Sequence, residues 1–248
     1  MPEDCAGKGR IDTANEKALW RLIVVGGHTR GIGKTQLVCD VVGAFPRTDW
    51  IAGKITQYGH GVCARNGENC DCAPTDHVCA LDWETQTDSG TDSARFLKAG
   101  AKRSFWLRTK QGYLAEGLPL LREALTEVVS QDANTNSDPA QPIRRQTTLI
   151  VESNSIMQFL KPSLYFAVID PAKDDFKESA QMALDRAHAL VLRGKVQDDA
   201  SPAPLWMRLP EQLLRNKPSV LQTEGENLPE PLWALVHRIL EDEPSARL

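Results

Sequence analysis

The sequence predicts an α/β domain: a mainly parallel sheet with helices on both faces. Short apolar runs (Leu22–Val25, Thr148–Val151, Leu164–Ile169, Ala189–Leu192) alternate with longer segments of helical period. Strands that are apolar throughout belong to sheets covered on both sides. The stretch Arg21–Val38, RLIVVGGHTRGIGKTQLV, passes from such a strand through a glycine-rich turn into a helix. Lys54, Glu152 and Asp170 each close a predicted strand, and ligands of open α/β sheets bind at the carboxyl ends of their strands.

Residues 1–19 are polar and read as a tail, leaving 20–248 as one domain. Leu22–Val25 is the first strand. Lys34–Phe45 is a helix that stops before Pro46, and Trp50–Ile55 is the second strand. Residues 56–90 show neither period and hold four of the six cysteines, so they read as an inserted loop. Thr91–Ala99 is a helix with Thr91 or Asp92 as its cap and Gly100 as its stop. Ser104–Arg108 is a strand and Leu114–Val129 a helix with leucines at helical spacing. Residues 130–146 are polar, with two prolines, and read as a mobile loop. Three strands follow, Thr148–Val151, Leu164–Ile169 and Ala189–Leu192, with a helix Phe176–Ala187 before the third. Ser219–Gln222 is a further strand and Leu232–Glu241 a closing helix, while Trp206 and Trp233 read as core residues.

Composition excludes several classes. A chain of 248 residues that is 41% apolar and 25% charged can bury a core. A net charge of −4 gives no reason to expect a nucleic-acid or anionic-membrane surface. No apolar run approaches the roughly 20 residues that span a bilayer. The first residues, MPEDCAGKGRIDTANEK, have no apolar core of the kind a secretory signal needs, so a cytoplasmic location is expected.

The turn into the first helix carries chemistry. Gly33-Lys34-Thr35 ends it as the phosphate-binding pattern G-x-x-x-x-G-K-[ST] requires. Backbone N–H groups of such a loop curl around a polyphosphate, and the helix N-terminus adds partial positive charge. The expected cup is Gly27, Thr29, Arg30, Gly31, Ile32, Gly33, Lys34, Thr35 and Gln36, with Lys34 on the outer phosphates and the Thr35 hydroxyl on Mg²⁺. His28 stands at the first glycine position, just after Gly26 and Gly27. Either His28 adopts a left-handed conformation, at about 1–2 kcal/mol, or Gly27 turns the chain and lengthens the loop by one residue. Glu152, ending an apolar strand, is placed to hold Mg²⁺ or its waters. Lys54 would neutralise phosphate charge or be a plain strand-end lysine; Asp170, followed by Pro171, reads as a turn. Asp88 and Asp92 either reach the site or, for Asp92, cap the helix. Asn216-Lys217-Pro218-Ser219 begins like a guanine-reading motif but lacks its aspartate.

A second signal is Cys63, Cys70, Cys72 and Cys79, spaced C-x6-C-x-C-x6-C among turn-forming residues. Four thiolates so close suit zinc or an iron–sulfur cluster, and disulfides fit a reducing compartment less well. His60 and His77 lie in the same segment; Cys5 sits in the tail and Cys39 on the first helix as a core residue.

The glycine-rich turn, Lys54 in KITQYGHG, GTDSARFLKAGA (90–101) and LIVESNS (149–155) run in an order that resembles the molybdopterin-guanine dinucleotide biosynthesis protein B family. Residues 162–192 also look like a divergent branch of these P-loop proteins, so the likeness covers roughly residues 20–195. The resemblance implies a P-loop NTPase that binds ATP or GTP with Mg²⁺, in a class that includes nucleotide-dependent metallochaperones and dethiobiotin synthetase, commonly dimeric across the nucleotide site. By position, Lys34, Glu152 and Asp92 would do the catalytic work and Lys54 would bind the nucleotide. His28 and the cysteine segment depart from the family pattern. The leading expectation is an Mg²⁺-dependent NTPase or switch that assists metal or molybdenum-cofactor handling with a cofactor-biosynthesis or metalloenzyme partner. A small-molecule kinase or ligase of the dethiobiotin-synthetase type with structural zinc is the alternative. A redox sensor with an iron–sulfur cluster and a vestigial nucleotide site is a third reading.

Overall fold

Strand β1, Leu19–Gly27, lies at the middle of the sheet. Its side chains alternate between two cores. Leu22 and Val24 join Leu121 and Leu125 of helix α3 (Leu114–Thr135) on one face. Ile23 and Val25 meet Leu37 and Val41 of helix α1 (Lys34–Ala44) on the other. The computed structural model describes residues 19–58, 78–135, 148–170, 173, 175–193, 217–223, 225–242 and 246–247.

Around β1 the sheet adds β2 (Trp50–Tyr58), β3 (Cys79–Glu84), β4 (Arg103–Lys110), β5 (Thr148–Glu152), β6 (Leu164–Ile169), β7 (Ala189–Leu192) and β8 (Ser219–Leu221). The strand order is β3-β4-β2-β5-β1-β6-β7-β8, and β9 (Ala246–Arg247) pairs with the start of β1. Every pair is parallel except β3–β4 and β1–β9. Helix α2 (Asp92–Lys98) buries Phe96 on the α1 side, and helix α5 (Glu230–Glu241) buries Leu232 and Val236 there. Between β6 and β7 lie a helical turn, α4 (Glu178–Gln181), and a 3-10 turn at Leu184–Arg186. The mainly parallel sheet covered on both faces is as the sequence predicts. Residues near the C-terminus belong to it: β8 forms one edge, and Trp233 of α5 stacks on Phe45 at 5.4 Å between centroids.

The structure departs from the sequence reading in three places. Residues 56–90 are not all loop: β2 continues to Tyr58, and Cys79–Glu84 forms an edge strand antiparallel to β4. Only one face of β3 is covered, by Leu81 and Trp83 packing on the core, while Asp82 pairs with Arg108. A half-covered strand of this kind lacks the continuous apolar run that marks the inner strands. Helix α3 runs past Val129 to Thr135, because polar residues extend a solvated helix as readily as a loop. Phe176–Ala187 is not one helix; it is α4 followed by a 3-10 turn at Leu184–Arg186. Its apolar positions do have helical spacing, and Ala180, Ala183, Leu184 and Ala187 are buried. The two ends are committed elsewhere. The Lys177 N–H donates to the His28 carbonyl at 2.8 Å, and the Arg186 guanidinium donates to the carbonyls of Met157 and Leu160.

Candidate functional site

Parallel register brings the strand ends together. Val25 of β1 lies beside Glu152 of β5, and Lys54 of β2 lies on the other side of the same Glu152. Just past β1 the chain makes its tight turn at Gly31 (φ 62°) and Gly33 (φ 85°) and enters α1. A side chain at either position would be strained in that left-handed backbone. Gly27 does not turn the chain: it stays in β1 beside Val168 of β6. What Gly27 supplies is room, since a Cβ there would sit 2.6 Å from Ile32 Cδ1 and 2.9 Å from the Val168 carbonyl.

His28 fits its unusual place by turning inward. It is buried, its N–H donates to the Val168 carbonyl at 3.2 Å, and its ring lies 5.3 Å from that of Phe176. Burial lowers its pKa below the usual 6.5, which favours the neutral ring.

Around the turn the expected residues converge. Lys34, Thr35, Gln36, Lys54, Asp92 and Glu152 line one cleft of about 1370 Å³, with Arg30, Gly31, Ile32 and Gly33 in its wall. The Thr35 hydroxyl donates to Glu152 Oε2 at 2.6 Å, and both residues line the cleft. Lys34 Nζ folds back on the Thr29 carbonyl at 2.6 Å. Burial pushes the Lys34 ammonium down to about 8, Lys177 and Lys54 add to this, and Glu152 opposes them. Burial acts the same way on Lys54, but Glu152 at 3.6 Å and Asp92, bonded to its ammonium, outweigh it and raise the pKa. Asp92 therefore reaches the site, and Thr91 is the cap of α2, accepting from the Ala94 N–H at 3.1 Å. Asp88 is exposed and does not line the cleft; Asp170 does, at the end of β6. Thr29 is tied outward instead, its hydroxyl donating to Asp175.

Several residues here carry no sequence signal as functional groups. Asn154, two places beyond Glu152, clamps Gly27: its Oδ1 accepts the Gly27 N–H and its Nδ2 donates to the Gly27 carbonyl, both at 2.8 Å. Glu84 accepts from the hydroxyls of Ser89, Thr91 and Ser93 and from the N–H groups of Thr85 and Gln86. Those bonds, with Thr91 foremost, hold its carboxyl at about 2 and fix the turn that delivers Asp92. On the other side of α1, Asp40 accepts from Gln36 and from the buried Gln222, each at 2.7 Å, and lies 3.5 Å from the Arg193 guanidinium. Each is an ordinary polar residue in the sequence; the fold puts Asn154, Arg193 and Gln222 in the cleft wall and Glu84 and Asp40 behind it.

The cysteine signal fares differently. Cys63, Cys70, Cys72, His60 and His77 lie outside the described residues, as do Cys5, Trp206 and Asn216. Cys79 opens β3 opposite Thr109, half-buried with a free thiol, and Cys39 is a free thiol pushed up to about 11 by burial. Among the described residues no group of three or more His, Cys, Asp or Glu could hold a metal ion. Lys217 donates to the carbonyls of Asp185 and Ala187, just before β7, and does not line the cleft. No described helix is long and apolar enough to cross a membrane.

No family model matches the chain, and no curated protein matches it. Among solved structures the chain is similar to the crystal structure of HypB from Helicobacter pylori in complex with nickel, at 12% identity and a TM-score of 0.44, over 90% of this chain and 86% of that one. A likeness of this strength carries no functional argument.

Proposed function

We propose that the chain binds a magnesium–nucleoside triphosphate, ATP or GTP, in the cup between β1 and α1 and hydrolyses it as a switch. The observation that carries this is the Thr35 hydroxyl bonded to Glu152 at the mouth of a glycine turn that also presents Lys34. Hydroxyl and carboxylate oxygens are the hard donors Mg²⁺ takes. Thr35 and Glu152 would hold the ion, which supplies neutralisation of phosphate charge. Lys34 would leave the Thr29 carbonyl for the outer phosphates. Lys54 is held between Asp92 and Glu152, where it offsets their charge and adds to the field on the terminal phosphate.

Metal or molybdenum-cofactor handling is the role this reading gives the switch, with Cys63, Cys70, Cys72 and Cys79 as a zinc or iron–sulfur site. Its support is placement: Tyr58, the last residue of β2, and Val78, just before β3, both lie at the carboxyl end of β2, the end at which the cup opens. A homodimer across the cleft, a metalloenzyme or cofactor-biosynthesis client and a cytoplasmic location belong to the same reading.

One observation favours the kinase or ligase reading. The cleft, at about 1370 Å³, exceeds the roughly 300–1,000 Å³ usual for one small ligand. Phe159 and Met182 line it with exposed apolar surface. Phosphate release from MgATP and MgGTP separates the two. Slow release with no added metabolite, abolished in Thr35→Ala, is the outcome expected for the switch. Release that needs an added small molecule favours the ligase, and a chain that binds neither nucleotide overturns both.

A further inference from the structure

After β6, Lys173, Asp175 and Lys177 lie against the turn between β1 and α1. The Lys177 N–H donates to the His28 carbonyl at 2.8 Å, Thr29 Oγ1 donates to Asp175, and Lys173 Nζ lies 3.3 Å from the carbonyls of both Arg30 and Gly31. Four successive cup residues are thus tied to one strap. In a trans peptide the N–H points opposite to the carbonyl, so the amides of Thr29, Gly31 and Ile32 face away from it. The strap presets the cup, and its end brings Lys177 to the cleft.

The Lys177 side chain is exposed and lines the same cleft as Lys34 and Lys54. The other two ammonium groups already have acceptors: the Thr29 carbonyl for Lys34, Asp92 and Glu152 for Lys54. Among the described residues the Lys177 ammonium has none. It shares that cleft with Thr35, Lys54 and Glu152.

We propose that Lys177 contacts the terminal phosphate of the bound triphosphate and is the residue that distinguishes triphosphate from diphosphate. This rests on the nucleotide reading above and adds a contact to it. In hydrolysis a water oxygen bonds to the γ-phosphorus, the bond to the β–γ bridging oxygen breaks, and the electron pair leaves on the diphosphate; one of the water's protons stays on its oxygen and the other passes to another oxygen of the released phosphate. Lys177 then opposes the charge on the γ-oxygens throughout, as a fixed cation does.

Lys177 holds the strap by its backbone N–H, which side-chain substitution leaves in place. The test is equilibrium binding of the Mg²⁺ complexes of ATP, ADP, GTP and GDP to the full chain, its Lys177→Met variant and its Lys177→Arg variant. The expected result is that Lys177→Met lowers the ratio of triphosphate to diphosphate affinity by at least about tenfold, slows phosphate release at saturation, and leaves the melting temperature unchanged. Lys177→Arg should keep most of the ratio. An unchanged ratio in Lys177→Met overturns the assignment, and so does an equal loss of triphosphate and diphosphate affinity, which is the mark of a structural role. Wild-type chain that binds no nucleotide overturns the proposed function and this contact with it. Wild-type binding with an unaltered variant ratio overturns the contact alone.

Discussion

Replacing Lys34 by Met should stabilise the ligand-free protein while removing its affinity for triphosphate. Lys34 is a cation held in a cup built for an anion. A fall in its pKa from 10.5 to about 8 means that the folded state disfavours its charge by about 3 kcal/mol. The side chain is partly open to the cleft, and solvent screening roughly halves this to about 1.5 kcal/mol. Losing the bond to the Thr29 carbonyl costs back about 0.5 kcal/mol, which leaves a net gain of about 1 kcal/mol. In a chain of this size that is a rise of about 2–4 °C in melting temperature. Between pH 8 and 10.5 the unfolded chain holds a proton on Lys34 that the folded chain has released, so this contribution favours folding increasingly as pH rises. Cys39, raised from 9.0 to about 11, titrates nearby with the opposite sign. The assay is therefore the difference in thermal stability between wild type and Lys34→Met at pH 7 and pH 10, in which Cys39 cancels. The advantage of Lys34→Met should shrink at pH 10. A variant less stable than wild type at pH 7, or one that keeps triphosphate affinity, would refute the reasoning.

Other expectations follow from the same geometry. Asn154→Ala leaves the Gly27 N–H and carbonyl without their clamp and should cost about 1–3 kcal/mol in chemical denaturation, with weaker phosphate binding. Glu84→Gln should loosen the turn before α2 and reduce nucleotide affinity through Asp92. In the wild type the carboxylate's contribution is full above pH 4.5 and lost as pH falls toward 2, so the stability gap between wild type and Glu84→Gln should close across that window. Glu152→Gln should weaken the Mg²⁺ dependence of binding at least about tenfold, read as the shift in the metal titration. Purified without oxygen, the protein should carry zinc or a coloured iron–sulfur cluster, and replacing Cys63, Cys70 and Cys72 by Ser should remove it; metal analysis showing none in the wild type would dismiss the cysteine reading.

Much of this architecture is legible in the residues because the physics is local. Strands such as LIV before Glu152 and LYFAVI before Asp170 are apolar throughout because both faces are covered, and burial on two faces shows in sequence. The sequence also singles out Gly33-Lys34-Thr35, Lys54, Asp92 and Glu152, which the fold brings to one cleft, although Lys54, read as a strand end, lies in mid-strand because β2 continues to Tyr58. What the sequence hides is long-range. Asn154 matters because β5 lies beside β1, Arg193 and Gln222 because β7 and β8 end beside α1, and Lys177 because the strap returns to His28. Edge strand β3 escapes detection because solvent takes one of its faces, so its pattern is diluted by Asp82 and Glu84. The break after Gln181 escapes because helical spacing at Ala180, Ala183, Leu184 and Ala187 says nothing of bonds that end residues make elsewhere.

The central claim is that amides and side chains between Gly27 and Gln36 receive a triphosphate. Calorimetric titration of MgATP and MgGTP into the purified chain tests it most directly. The account expects one site per chain for at least one of the two, heat that vanishes without Mg²⁺, and no binding in Lys34→Ala. Absence of binding by the intact folded chain, or equal binding by Lys34→Ala, would contradict it.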